Sequence, residues 1–163
     1  MKKTIIIILI AFVAVSSAFA FKFNSVGVET GLGFGASISA DMEIIDKLDV
    51  YVRAGYYNAF DISVGAQYQL FDFKIDSSTI PFKAGAQIDI FFANETAMFM
   101  MLGTAQVSFS TGHLTAFVRP GIGFSAYSYK TYEWDSTASA LKEVKKTQTD
   151  FRFVIETGVA YLF

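Results

Sequence analysis

The sequence predicts an all-β chain whose eight antiparallel strands close into an up-and-down barrel. Three observations predict it. Apolar and polar side chains alternate with a period of two over long stretches, which is the signature of strands with two unlike faces. A weak internal repeat places Arg53-Ala54-Gly55, Lys83-Ala84-Gly85 and Arg119-Pro120-Gly121 in register, with Ser25-Val26-Gly27 fitting without its base. The repeat glycines are spaced 28, 30 and 36 residues apart, the length of a hairpin. No segment beyond residue 20 shows a 3.6-residue period.

Composition narrows the class further. The 163 residues are 53% hydrophobic and 17% aromatic, too apolar for a disordered chain. Charged residues make up 17%, against roughly 25% in ordinary soluble domains. There is no cysteine, which excludes disulfides, thiolate metal sites and a cysteine nucleophile. A formal net charge of −2 provides no basic excess for nucleic acid.

The elements follow in chain order. Lys2 and Lys3 precede an apolar run from Ile5 to Val15, and Ala18 and Ala20 frame a small-residue cleavage site. This order predicts a secretory signal peptide over residues 1–20, removed after Ala20. The run is too short for the roughly 20 residues of a membrane-spanning helix. Without Lys2 and Lys3, 11 basic side chains face 15 acidic ones, a net of −4. The remaining 21–163 form one domain. Strands are expected at 22–31, 33–44, 49–57, 60–71, 79–92, 98–110, 114–130 and 147–163. The first pair is the least distinct, because Val26 to Ile44 keeps one alternation throughout and also reads as a single long strand. Connections at one set of ends are Ile45–Leu48, Asp72–Ser78 and Ser110–His113. At the other they are Gly31–Gly33, Asn58–Ala59, Ala93–Ala97 and the long Thr131–Lys146.

Two barrels fit such a meander, and they are inside-out versions of each other. A lipocalin-like soluble barrel turns its apolar face inward. A transmembrane barrel turns it to lipid and fills its lumen with small and polar residues. The polar face here is rich in Gly, Ser and Gln and poor in Lys. The apolar face is flanked toward strand ends by Tyr56, Phe60, Phe92, Phe99 and Phe151, and at the opposite ends by Phe71, Phe109 and Tyr161. Aromatic girdles of this kind belong at the two membrane interfaces. The expectation is therefore a transmembrane β-barrel.

The chain ends Glu156-Thr157-Gly158-Val159-Ala160-Tyr161-Leu162-Phe163. Glu156, Gly158, Tyr161 and Phe163 resemble the terminal assembly signal of Gram-negative outer-membrane barrels. With the signal peptide and strand count, residues 21–163 resemble the small eight-stranded outer-membrane barrels of the OmpA, OmpX and opacity-protein type. The resemblance implies residence in the outer membrane, contact with its lipid, and delivery by periplasmic chaperones and barrel-assembly machinery. A monomer is expected.

Eight strands enclose an interior just wide enough for side chains. The inward face carries Glu29, Asp41, Arg53, Asp61, Lys83, Asp89, Arg119, Arg152 and Glu156. Charges there must be paired, so an ion-pair network is expected. Arg53, Lys83 and Arg119 should share one level because they share a repeat position, with inward glycines making room for them.

No chemistry stands out. The single histidine, His113, lies in the turn Thr111-Gly112-His113 beside Ser110, and a hydrolytic base needs a partner carboxylate and nucleophile. There is no Cys/His cluster for a metal, and Gly33-Phe34-Gly35 is not followed by the helix a nucleotide fingerprint requires. No catalytic residue, metal or cofactor is expected. The functional expectation is a non-enzymatic outer-membrane barrel with a structural or surface-interaction role. The alternatives are a small pore for ions or solutes and a lipid-active enzyme. The segment Thr131–Lys146, which holds the only Trp, is the candidate surface for an external ligand.

Overall fold

The computed structural model describes residues 22–31, 34–56, 59–76, 78–93, 96–135 and 140–163. The expected signal peptide, with Ala18 and Ala20, lies outside them. The described residues form eight strands and no helix: β1 (Lys22–Gly31), β2 (Phe34–Ile45), β3 (Leu48–Tyr56), β4 (Phe60–Ile75), β5 (Ser78–Ala93), β6 (Thr96–Thr111), β7 (Leu114–Asp135) and β8 (Ala140–Leu162). Each pairs antiparallel with the next, and β1 closes the ring on β8 from Ser25↔Leu162 to Gly31↔Glu156. Closure leaves the sheet no open edge along these rungs. Phe163 N–H to Asn24 O at 3.1 Å extends this seam, and Leu162 N–H to His113 O at 2.7 Å holds the other side of β8 to the turn before β7.

Residues 26–44 are two strands, not one. The rungs Val28↔Ile38 and Thr30↔Ala36 pair even numbers with even numbers. A hairpin folded about such a centre keeps one alternation on both arms, so periodicity alone cannot reveal the turn. The opposite turns are tight. Lys47 (φ 67°), Asp76 (φ 53°) and Gly112 (φ 57°) take the left-handed conformation, which Gly112 adopts without steric cost.

Two expected connections are strand instead. Asp72–Ser78 is mostly the continuation of β4 and β5, because the register shifts between Gln69 and Phe71. One extra residue at that shift brings Phe71 and Phe73 onto the outer face, where the Phe71 ring stacks on Phe82 at 4.9 Å. The adjacent pair Leu70-Phe71 breaks the sequence alternation there.

Of Thr131–Lys146, residues 131–135 and 140–146 are likewise strand. β7 and β8 run on as a two-stranded arm, paired from Ser128↔Thr147 to Asp135↔Ala140, beyond the last rung that β7 shares with β6, Met98↔Tyr127. Neither arm face is buried, so no apolar alternation marks it in the sequence. Ion pairs lace it instead. Lys130 Nζ lies 3.2 Å from Glu143, and Lys146 Nζ lies 2.5 Å from Glu133. The hydrogen bond and charge of Glu133 raise the Lys146 pKa above its ordinary value.

The two faces of the sheet are inverted relative to a soluble domain. Val28, Ile38 and Ile122 are 64%, 65% and 54% exposed on the outside, whereas Arg119 and Glu156 are 1% and 0% exposed inside.

Candidate functional site

The interior is layered. Toward the end that carries the arm, Phe91, Met100, Leu102 and Val154 form a buried apolar cluster, with Met98 packed against it. Below it, in the middle of the barrel, sits a network of charges. Nearer the turns at Lys47 and Gly112, the interior widens into a polar cavity of about 260 Å³ lined in part by Asp41, Asp49, Lys83 and Gln106.

Two guanidiniums organise the network. Arg53 projects from β3 and Arg119 from β7, and Glu156 on β8 bridges them. Its Oε1 accepts from Arg53 Nη1 at 2.5 Å, and its Oε2 accepts from Arg119 Nη1 at 3.1 Å. Arg53 Nη2 donates to Asp89 at 3.0 Å and to Ser63 at 2.7 Å, and its Nε lies 3.7 Å from Asp61. Glu29 lies 3.2 Å from Arg119 Nη1 and 3.9 Å from Arg53 Nη1. Arg119 Nε donates to Gln106 at 2.8 Å. Its charge lies 4.0 Å above the Tyr51 ring and 4.8 Å from the Phe117 ring, within cation–π range. The Tyr51 hydroxyl donates to Gln87 at 2.5 Å, and Gln87 Nε2 donates to both Asp89 and Glu156, at 2.7 and 2.9 Å. Four carboxylates thus surround two guanidiniums. Buried charges persist only with this density of partners.

Glycine makes the ring contact possible. A Cβ on Gly65 would lie 2.2 Å from the Tyr51 ring, and one on Gly158 would lie 2.6 Å from the Phe117 ring.

Glu29, Arg53, Asp61, Asp89, Arg119 and Glu156 therefore meet in one place. Lys83 and Arg152 do not join them. Repeat position places Lys83 at the level of Arg53, but the rungs Arg53↔Ser63 and Ser63↔Asp89 put Asp89 there instead. Lys83 pairs with Gln69 a further six residues down β5 and its ammonium meets Asp49. The cause is strand stagger, which shifts equivalent positions of successive hairpins along the barrel axis. Arg152 stands nearer the arm. Its Nε donates to Ser125 at 3.0 Å, and its Nη2 lies 3.3 Å from Asp150. Asp41 accepts from Ser25 at 2.6 Å in the cavity wall.

Tyr51, Gln87 and Gln106 were not among the charged candidates, although alternation puts all three on the inward face. A search for polar atoms rather than charges finds them.

His113 is exposed at its turn. Its Nδ1 lies 3.1 Å from the Leu162 carbonyl, and its ring stacks on Tyr161 at 5.4 Å. Ser110 Oγ donates to Thr115 at 2.8 Å. The histidine contacts tie the turn to the end of β8. Of the terminal residues, Glu156 belongs to the network and Gly158 faces Phe117. Tyr161 and Phe163 stand on the outer face with rings 5.5 Å apart, and the Phe163 ring lies 5.4 Å from that of Phe23.

Among the described residues no group of three or more His, Cys, Asp or Glu is arranged to hold a metal, and no helix is long and apolar enough to cross a membrane. Compared with known protein families and with curated protein sequences, the chain matches none.

Proposed function

We propose that the protein is a non-enzymatic integral outer-membrane β-barrel with a side-chain-filled interior and a structural or surface-interaction role. One observation carries the reading: apolar side chains cover the outside of the ring while its charges are paired within. In water such a surface is a large aggregation liability. In a bilayer it is the favourable arrangement, because a closed ring satisfies its backbone groups internally and shows hydrocarbon only apolar side chains. The aromatic residues support the same reading. Phe60 stacks near Phe92 at 6.3 Å and Phe124 meets Phe151 at 5.7 Å toward one end, with Phe71, Phe73 and Phe82 clustered toward the other. Rings favour those two levels of a bilayer. The terminal pattern Glu156, Gly158, Tyr161, Phe163 and the leader at 1–20 fit export and assembly at the outer membrane.

The packed interior favours a plug over a pore. The apolar cluster and the Arg53–Glu156–Arg119 network lie in series between the two ends, and the polar cavity opens only beyond them.

The test is outer-membrane fractionation followed by electrophoresis of unheated and boiled samples. We expect the chain in the outer-membrane fraction, with a heat-dependent change in mobility. A chain recovered in the soluble periplasmic fraction overturns the reading.

A further inference from the structure

The outer face of the arm changes character rung by rung. Outward positions on β7 are apolar from Leu114 to Ala126. Across from them on β8 stand Tyr161 to Thr149. Above Ala126↔Thr149 comes a hydroxyl rung, Ser128↔Thr147, whose oxygens are 3.2 Å apart. Next comes Lys130↔Lys145, then Tyr132↔Glu143 and Trp134↔Leu141.

Height follows from strand geometry. The twelve steps from Leu114 to Ala126, at ~3.3 Å each and tilted about 40°, rise about 30 Å. That is the thickness of bilayer hydrocarbon. The two lysines branch from the backbone about 10 Å higher, within the length that a flexible lysine stem can span to the headgroup layer.

Like charges directly opposite each other weaken a two-stranded ladder, so this rung is not explained by hairpin stability. Glu143 lies 3.2 Å from Lys130 and offsets one of the two charges. Among the described residues Lys145 forms no ion pair with an acid. Of the other charged arm residues, Glu133, Lys142 and Lys146 fall on the opposite face.

We infer that the Lys130–Lys145 rung, with the Ser128 and Thr147 hydroxyls beneath it, docks the phosphate of an anionic lipid headgroup in the leaflet around the barrel. The inference rests on the membrane reading above and gives that reading a specific ligand chemistry. Two ammonium groups on one outward rung match a phosphate, and the hydroxyls supply further donors. The occupant is lipid because this face is the direct upward continuation of the apolar wall.

The experiment titrates the folded full chain in non-ionic micelles with phosphatidylglycerol or with phosphatidylcholine of identical acyl chains, reading bound lipid by native mass spectrometry. A lysine near an anionic surface is worth about fivefold in affinity. With the Lys145 ammonium the charge on this rung that no carboxylate offsets among the described residues, phosphatidylglycerol should bind about fivefold more tightly than phosphatidylcholine. K130Q/K145Q should abolish that preference. E143Q, which removes the carboxylate 3.2 Å from Lys130, should strengthen it, and K142Q/K146Q on the opposite face should leave it unchanged. Persistence of the preference in K130Q/K145Q, or equal binding of the two lipids by the wild-type chain, overturns the inference. Displacement of the lipid by millimolar inorganic phosphate overturns the lipid assignment in favour of free phosphate. Insertion into phosphatidylcholine vesicles is measured separately. A chain that inserts yet shows no lipid preference loses only this inference, whereas one that never inserts loses the membrane reading as well.

Discussion

Arg53 and Glu156 lie 103 residues apart in the sequence and 2.5 Å apart in the barrel interior. β3 and β8 are not neighbours in the ring, so the bond spans the interior and braces opposite walls. Arg119 approaches the other oxygen of the same carboxylate, which makes Glu156 the residue on which both cations depend.

Removing one partner of such a buried set is costly. Arg119→Ala should destabilise the barrel by about 3–5 kcal/mol, since it leaves Glu29 with only the more distant Arg53, at 3.9 Å, as a cation and weakens the hold on Glu156. Lys142→Ala, on the exposed arm, should cost about 0–1 kcal/mol. Urea titrations in micelles measure both. Equal midpoints for the two variants refute the buried network.

The carboxylates should not be equivalent. Glu156→Gln removes the charge that bridges two guanidiniums and should lower stability by about 3 kcal/mol or more. Asp61 touches Arg53 only at 3.7 Å, in a network with more acids than bases, so Asp61→Asn should cost about 1 kcal/mol or less. A larger loss for Asp61→Asn than for Glu156→Gln contradicts this ordering.

Neighbouring residues test the two faces. Ala66 points outward and Gln67 points inward, where it donates to Thr104 at 3.3 Å. In bilayers Ala66→Arg should cost about 2–4 kcal/mol by placing charge against hydrocarbon. Gln67→Arg extends into the polar cavity and meets only crowding. Folding yields in vesicles decide the matter, and normal folding of Ala66→Arg beside failure of Gln67→Arg reverses the face assignment.

Deletion of Phe163 separates delivery from stability. Its ring is 71% exposed and touches Phe23 and Tyr161, so its burial in an interface contributes at most about 1.5–3 kcal/mol. We expect substantial refolding of the deleted chain from urea into detergent but little folded barrel in the outer membrane of cells. Normal accumulation in cells shows that the terminal residues serve only as a strand.

The filled interior predicts electrical silence. Purified protein in planar bilayers should show no reproducible unitary conductance, because Leu102, Val154 and the arginine network stand in series across the passage. A regular unitary current restores the pore reading.

Much of this molecule is written locally. Alternation assigned Val28 and Ile38 to one face and Glu29, Arg53, Asp61 and Arg119 to the other, because successive side chains on a strand point to opposite sides whatever the strand pairs with. Residue type then marked the tight turn at Gly112. What tertiary structure alone decided depends on pairing. Lys83 parts from Arg53 and Arg119 because stagger accumulates around a ring, so the level of any residue is set by every rung between it and its neighbours. The shift at Gln69 and Phe71, the turn hidden between Thr30 and Ala36, and the extension of β7 and β8 into an arm are likewise properties of two strands together. Along each regular stretch the sequence determined which way the side chains face; the closed ring of hydrogen bonds determined where that alternation shifts and at what height each residue lies, and hence that Arg53 meets Glu156.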